Sequence, residues 1–245
     1  MSALAVMLVA MGITDACRNF RLPWVAAAVG PIIVVAVAAL SALWHVGDIA
    51  LLIVAAAATV VWRVLCRCAE RTGKHVIAPL VVFFIAAATL IALSGWGSPV
   101  SGIVARWMTW APLPFGAVPP TQLLMAVGVV LLQLVTGNQL VRLVLGSVGA
   151  VRPAGQPQPS DRLKGGRLLG PMERLLILGL GLGGQLAAAS AVVAAKSIIR
   201  FPEINAQKAR ENGTIGIDDI TEYFLVGSFA SWIVALGGLV LVLAQ

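Results

Sequence analysis

Charged residues are scarce in this sequence. They make up 11% of its 245 residues, whereas a soluble domain has about 25%. Hydrophobic residues account for 60% of the chain, and its mean hydropathy is +0.97. So few charges cannot cover so large an apolar core, and the composition therefore excludes a soluble globular enzyme. Because a helical bilayer crossing takes about 20 residues, the chain is long enough for roughly seven or eight crossings.

The side chains that usually build chemical sites are also few. The chain has three cysteines and two histidines. Cys66 and Cys68 form the only close pair, and neither histidine lies at zinc-ligand spacing from them, so we expect reduced thiols and no metal site. No Gly-x-Ser-x-Gly elbow and no phosphate-binding loop occurs in the sequence. The sequence therefore predicts neither an enzyme nor a cofactor.

The net charge of +7 raises the question of nucleic acid as a partner. No basic run is interleaved with aromatic residues, as a binder of single strands requires. Lysine and arginine also accumulate in the cytoplasmic loops of membrane proteins, which accounts for the charge without a nucleic acid. We therefore expect the lipid bilayer, and not nucleic acid, as the partner.

Seven apolar stretches predict the architecture, an all-α polytopic bundle of about seven transmembrane helices. The first stretch has the length of a signal-peptide core but lacks a basic start, so we expect it to be retained as a helix. The predicted spans are residues 2–16, 22–44, 48–66, 76–94, 121–148, 168–196 and 221–243.

The basic residues are distributed unequally between the two sides of such a bundle. With seven spans, 12 of the 17 lysines and arginines fall on the side that follows the first span. The positive-inside rule makes that side cytoplasmic. The sequence thus predicts an outer amino terminus, a cytoplasmic carboxyl terminus and a multi-pass protein of the bacterial cytoplasmic, or inner, membrane.

Long connections divide the chain into three parts. Residues 1–148 form a five-helix transmembrane region, residues 149–165 a proline-rich cytoplasmic linker, and residues 166–245 a two-helix transmembrane unit whose polar outer loop covers 199–220. In the first part, the outer segment 95–120 predicts a short helix capped by Ser98, with Pro99 at its first position. Its apolar face suits an interfacial helix on the outer leaflet, and a re-entrant lid over a substrate cavity is the alternative.

A glycine-rich run inside the sixth span fits the spacing of a dinucleotide-binding fingerprint. That fingerprint needs a preceding strand and an exposed helix start, whereas this run lies in the middle of an apolar stretch. Small residues let membrane helices approach one another closely, which is the interpretation we favour. The predicted packing residues are Gly179, Gly181, Gly183 and Gly184.

Ionisable side chains within the spans are the sharpest functional signal, because a charge at membrane depth costs roughly 2.5–3.5 kcal/mol. Asp15 ends the first span, and Arg18 lies one turn later as a salt-bridge partner. Lys196 and Glu222 form a predicted ion pair between the last two spans. Structural pairing is the favoured role of these charges, and an ion or proton pathway is the alternative.

Polar residues give the fifth span a polar inner half. Gln133 and Thr136 lie three residues apart on one face, and Asn138 follows them. Gln185 in the sixth span is expected to meet this face within the membrane. Hydrogen bonding between helices is the default interpretation, and a polar conduit is the alternative.

Three runs in the last third of the chain, GRLLGPMERLLIL from Gly166, AAKSIIRF from Ala194 and TEYFLVGS from Thr221, resemble the domain-of-unknown-function 3307 family of bacterial integral membrane proteins. The resemblance covers about residues 166–238 and implies the family's last two helices, but no activity. The front of the chain departs from the family, because a first helix bearing histidine and aspartate is missing. The positions that match the family pattern are Gly166, Arg167, Gly170, Glu173, Arg174, Gln185, Lys196, Ser197, Arg200, Phe201, Glu222 and Tyr223.

The favoured function is that of a non-enzymatic membrane subunit or scaffold, which docks another membrane subunit or forms a homo-oligomer. This hypothesis follows from the small residues of the sixth span and from charges that lie at helix ends. The alternative is a small transporter or channel with a polar path between the last three spans. A lipid-modifying enzyme is a third hypothesis, for which the sequence offers no nucleophile–base pair and for which Glu173→Gln is the test.

Overall fold

The computed structural model of the chain describes residues 1–17, 23–111, 118–149, 166–195, 198 and 217–245, without the side chains of 23–27, 166–168 and 217–222. The protein is all-helical, with 85% helix and no strand in the described part, which confirms the predicted class. The helices are α1 (Ser2–Ala16), α2 (Pro23–Leu40), α3 (Val46–Thr72), α4 (Ile77–Ala92), α5 (Gly102–Trp110), α6 (Pro120–Ser147), α7 (Gly166–Leu182), α8 (Leu186–Ala195) and α9 (Ile217–Leu243).

Three helices are long and apolar enough to cross a membrane. They are α3 with 27 residues, α6 with 28 residues, and the 21 residues of α9 from Tyr223 to Leu243. Four further apolar helices in the described part are shorter: α1, α4, α8 and residues 28–40 of α2. Apolar side chains that point outward, such as Ile53 on α3 and Ile233 on α9, agree with membrane association. The count of seven spans is not confirmed.

The first helix, α1, is the centre of the bundle. It packs against α2, α3 and α6, and 13 of its 15 residues are buried. A helix that is apolar on all sides belongs in a core. Close approach depends on glycine, because a Cβ on Gly12 would lie 2.6 Å from Leu131 Cβ and a Cβ on Gly128 would lie 3.0 Å from the Ala5 carbonyl oxygen. The short first stretch is therefore a core helix of the bundle.

The sixth predicted span is wrong as a single helix. It divides into α7 and α8 at Gly184, whose positive φ of 73° stops the helix, and the Gln185 N–H donates back to the Leu180 carbonyl at 2.8 Å. Ile177 on α7 and Ala189 on α8 share one packed cluster. Twelve residues of continuous helix would separate these two residues by about 18 Å. The chain therefore reverses, and α7 and α8 form a helical hairpin.

This reversal changes the direction of the last helix. Gln122 and Gln133 on α6 donate side-chain hydrogen bonds to the carbonyls of Val242 (3.2 Å) and Val234 (3.0 Å) on α9. The two helices are therefore antiparallel, and α9 ends beside the start of α6. Ser2, at the start of α1, lies at the same end of the bundle, because its hydroxyl donates to the Ser98 carbonyl. The sequence predicts the two chain ends on opposite sides, whereas the structure places them at one end.

The segment between α4 and α6 closes that same end. Ser98 does not cap a helix starting at Pro99, as the sequence predicts, because α5 begins only at Gly102. The Ser98 N–H instead donates to Asp48 Oδ1 at 2.7 Å, and the Ser101 N–H donates to the Ser41 carbonyl at 3.0 Å. The first turn of α3 and the end of α2 thus hold the segment in place.

Candidate functional site

Arg174 on α7 is the most buried charged side chain in the described part, with 1% of its surface exposed. Its Nε and Nη2 both donate to the Gln133 carbonyl oxygen on α6, at 3.1 and 2.9 Å. Nη2 also donates to Asn138 Oδ1 at 2.6 Å, and Nη1 donates to Ser231 Oγ on α9 at 3.3 Å. One guanidinium thus joins three helices through four hydrogen bonds.

The backbone of α6 is widened where Arg174 meets it. Residues Leu132–Thr136 form a π-helical turn inside the α-helix. A side chain that enters the row of backbone hydrogen bonds is a common cause of such an irregularity, and π turns often lie at functional sites. Gly137 gives the guanidinium room, because a Cβ there would lie 3.1 Å from Arg174 Nε and 3.2 Å from Cζ.

Glu173, the neighbour of Arg174, is also buried and accepts a hydrogen bond from Trp232 Nε1 at 2.8 Å. Two adjacent residues of α7 therefore meet two adjacent residues of α9: Glu173 contacts Trp232, and Arg174 contacts Ser231. Burying an acid next to a base keeps the local charge near zero, which lowers the cost of placing either group in an apolar bundle.

Two buried polar atoms next to this arrangement have no hydrogen-bond partner in the described part of the chain. They are Gln133 Oε1 and Thr136 Oγ1, and both residues are 0% exposed. Both lie in the π-helical turn. A buried polar atom without a partner is costly and commonly marks a bound water or a functional site.

A second polar cluster lies on the α3 side of α6. Asp15, at the end of α1, is buried and accepts hydrogen bonds from Trp62 Nε1 at 3.2 and 3.3 Å. The buried Cys66 thiol lies near this carboxylate and near the Gln139 side chain of α6. Consecutive residues of α6 thus belong to different clusters: Asn138 accepts a hydrogen bond from Arg174, and Gln139 lies on the side of Cys66. The predicted partner Arg18 lies outside the described residues.

Four predicted site residues, Gln133, Asn138, Glu173 and Arg174, therefore come together, but Gln185 does not join them. Gln185 follows the break after α7 and is exposed. Arg174 lies ten residues before the break at Gly184. It meets the polar face of α6 that the sequence assigns to Gln185. Tyr223 is half-buried on α9. Outside the description lie Lys196, Ser197, Arg200 and the side chains of Arg167 and Glu222, and with them the predicted Lys196–Glu222 pair.

The predicted packing glycines have different roles. A Cβ on Gly181 would lie 2.4 Å from Leu239 Cδ2, so this glycine does allow α7 and α9 to pack closely. Gly179 and Gly184 have no atom within 4 Å of such a Cβ, and Gly183 meets only the backbone of its own helix. Packing therefore accounts for one glycine of the four, and Gly184 ends the helix.

A third polar group, at the start of α3, resembles a catalytic triad in composition only. His45 Nδ1 lies 2.8 Å from Ser98 Oγ and 3.4 Å from Asp48 Oδ2. A serine–histidine–aspartate relay needs the serine and the aspartate on different ring nitrogens. Here both meet the same nitrogen, and His45 and Asp48 form the capping box of α3. The group is a helix cap.

Sequence reasoning missed the α9 partners of the site and the indole that binds Asp15. The signal for the α9 partners was local, because Ser228 and Ser231 are buried hydroxyls three residues apart, on one face of an apolar helix. Trp62 gave no such signal, because the sequence does not distinguish a buried indole donor from a tryptophan at the membrane interface. Spacing alone could not pair Ser231 with Arg174 or Trp62 with Asp15.

No family model matches this sequence, and comparisons with curated proteins and with solved structures find no match either. The resemblance of residues 166–238 to the domain-of-unknown-function 3307 family stays a prediction. The functional argument therefore depends on the geometry of the buried polar residues and of the exposed faces.

Proposed function

We propose that this chain is a non-enzymatic subunit or scaffold of the bacterial inner membrane, which docks another membrane subunit or a second copy of itself. The observation that carries the proposal is the use of Arg174. Four of its five N–H groups are hydrogen-bonded to α6 and α9. A guanidinium held in this way stabilises helix packing and has little capacity to bind a substrate.

The proposed topology has eight membrane-inserted helices: the seven predicted apolar stretches, with the sixth counted as the hairpin α7–α8. Both chain ends then lie outside, at the end that carries α5. Under this topology 16 of the 17 basic residues belong to the cytoplasmic side and only Arg106 to the outer side. The bias is stronger than the 12 of 17 that seven spans give, and the positive-inside rule therefore favours eight helices.

The face of α9 that points away from the bundle is the proposed docking surface. In the most apolar 18-residue stretch of α9, 33% of the residues are buried inside the protein. The corresponding share in α6 is 56%. Phe229, Ile233 and Val240 are exposed along this face. Gly237 lies among them and has no atom within 4 Å of its Cβ position, so a second helix can approach closely there.

The experiment is purification in mild detergent followed by mass determination, with Gly237→Leu as the test variant. We expect wild type to elute as a homo-oligomer or with a second membrane subunit, and Gly237→Leu to shift toward monomer. The matched control is Val35→Leu on the exposed face of α2, a helix whose main contacts are with α1 and α3. Monomer alone from wild type, without a partner, would contradict the proposal.

A small transporter or channel is the second candidate, favoured by the unpartnered acceptors Gln133 Oε1 and Thr136 Oγ1 in the π-helical turn. A polar path between α6, α7 and α9 would use these atoms. The test is ion and metabolite flux in proteoliposomes, with Thr136→Val as the variant that removes one acceptor at nearly constant volume. Flux that falls in Thr136→Val but not in Val35→Leu would favour transport over a scaffold role.

A further inference from the structure

The end of the bundle that carries α5 exposes four tryptophans. Trp44 is 58% exposed, Trp96 67%, Trp107 42% and Trp110 70%. By contrast, Trp62 is fully buried. Tryptophan is enriched where a membrane protein meets the headgroup layer, because its ring is apolar and its N–H can bond to polar groups there. This set, which we call the tryptophan ring, is therefore suited to the interface.

The hydrogen bonds from the Ser98 and Ser101 backbones hold the segment that carries three of these tryptophans against α3 and the end of α2. The backbone of Gly47 approaches the Trp96 carbonyl so closely that no Cβ would fit, which brings Trp96 beside the start of α3. The Ser101 N–H bonds to the Ser41 carbonyl, which sets α5 against the end of α2 close to Trp44. None of the residues of α5 is buried in the bundle. The bundle covers this short helix only in part and leaves apolar side chains such as Ile103 exposed, which suits a helix at the membrane interface.

Arg106 places a positive charge within the tryptophan ring. Its side chain is exposed, and it forms no hydrogen bond or ion pair with the residues that the structure describes. No acidic residue occurs between Glu70 and Asp161 in the sequence. The nearby Asp48 is buried and is used by the Ser98 N–H. The charge of Arg106 is therefore available to an anion from outside the chain.

We infer that α5 and the tryptophan ring form a site for an anionic phospholipid, with the Arg106 guanidinium binding the lipid phosphate and the indole rings lying in the headgroup layer. A guanidinium pairs with phosphate through two parallel hydrogen bonds. Trp107 and Trp110 follow Arg106 by one and four residues on the same short helix. A lipid whose phosphate binds Arg106 can therefore place its upper acyl chain against the indole rings. The occupant is a lipid, because the surface beside the charge is aromatic and apolar.

The test uses the full chain in proteoliposomes that contain brominated phosphatidylglycerol or brominated phosphatidylcholine, which quench tryptophan emission on contact. Wild type is expected to prefer phosphatidylglycerol. One basic residue near an anionic surface is worth about fivefold in binding, so Arg106→Gln should reduce the preference by about that factor. Arg106→Lys keeps the charge and should retain most of the preference.

Arg142→Gln is the matched control, since Arg142 is exposed at the opposite end of the bundle. It should leave the preference unchanged, and all variants should elute like wild type. Equal quenching by the two lipids in wild type, or an unchanged preference in Arg106→Gln, would overturn the inference.

Discussion

The Arg174 guanidinium donates two hydrogen bonds to a single acceptor, the Gln133 carbonyl oxygen, at 3.1 and 2.9 Å. This pairing explains why an arginine can lie buried between largely apolar helices. A carbonyl has two lone pairs, so one oxygen can accept both N–H groups. The π-helical turn and Gly137 bring that oxygen within reach of α7.

Replacement of Arg174 by methionine should destabilise the protein. The change leaves the Gln133 carbonyl and Asn138 without their donor in a buried site, and we expect the free energy of unfolding in detergent to fall by about 2 kcal/mol. Arg174→Lys should lose less than Arg174→Met, because its ammonium keeps a donor for the buried acceptors. It should still be less stable than wild type, because a single ammonium cannot reach acceptors on two helices in the same geometry. Arg142→Met at an exposed position is the control. Equal stability of Arg174→Met and wild type would show that the network contributes nothing to folding.

The neighbouring glycines Gly237 and Gly238 give a matched pair of substitutions. A Cβ on Gly238 would lie 2.5 Å from Gln133 Nε2 and 2.7 Å from Val129 Cγ1, whereas Gly237 has no atom within 4 Å. We expect Gly238→Ala to cost about 1–3 kcal/mol by forcing α9 away from α6. Gly237→Ala should be neutral or stabilise by up to about 1 kcal/mol, because alanine is the better helix former. Thermal unfolding in detergent measures both, and a reversed order would contradict the α6–α9 contact.

The positions of the helices could be predicted from the sequence because hydropathy is a local property. The first stretch coincides with α1 from Ser2 to Ala16. The third extends beyond its predicted end at Cys66 to Thr72. Its last turns are polar, and helix can continue outside the apolar layer until Gly73 ends it in a left-handed conformation.

The connections within the site could not be predicted from the sequence, because they join residues distant in the chain. The polar inner half of the fifth span, with Gln133 and Thr136 on one face and Asn138 after them, is visible in the sequence, but nothing in a linear pattern pairs it with Arg174 rather than Gln185. The hairpin had a visible signal in the adjacent glycines Gly183 and Gly184. The same pair is compatible with close packing, and only the reversal of the chain distinguishes the two interpretations.

The hydrogen bond between Trp62 and Asp15 should be detectable as an energetic coupling. Trp62→Phe keeps an aromatic ring and removes the N–H donor, and Asp15→Asn keeps the size and removes the charge. In a double-mutant cycle of unfolding free energies we expect a coupling of about 1 kcal/mol between the two positions. The pair Trp232→Phe and Asp15→Asn is the control, because Trp232 bonds to Glu173 instead. A coupling no larger than that of the control would mean that the indole does not stabilise the carboxylate.

Thiol labelling distinguishes the eight-helix topology from the seven-span alternative. Cys68 is exposed near the end of α3, and Arg106 and Gln245 lie at the other end of the bundle, so each can carry the single cysteine of a chain otherwise free of thiols. In intact cells, an impermeant maleimide should react with Arg106→Cys and Gln245→Cys and should reach Cys68 only after permeabilisation. Seven spans place Gln245 with Cys68 instead. The hairpin α7–α8 alone reverses the direction of α9. Protection of Gln245→Cys from the maleimide in intact cells would therefore contradict the hairpin but not the positions of the other helices.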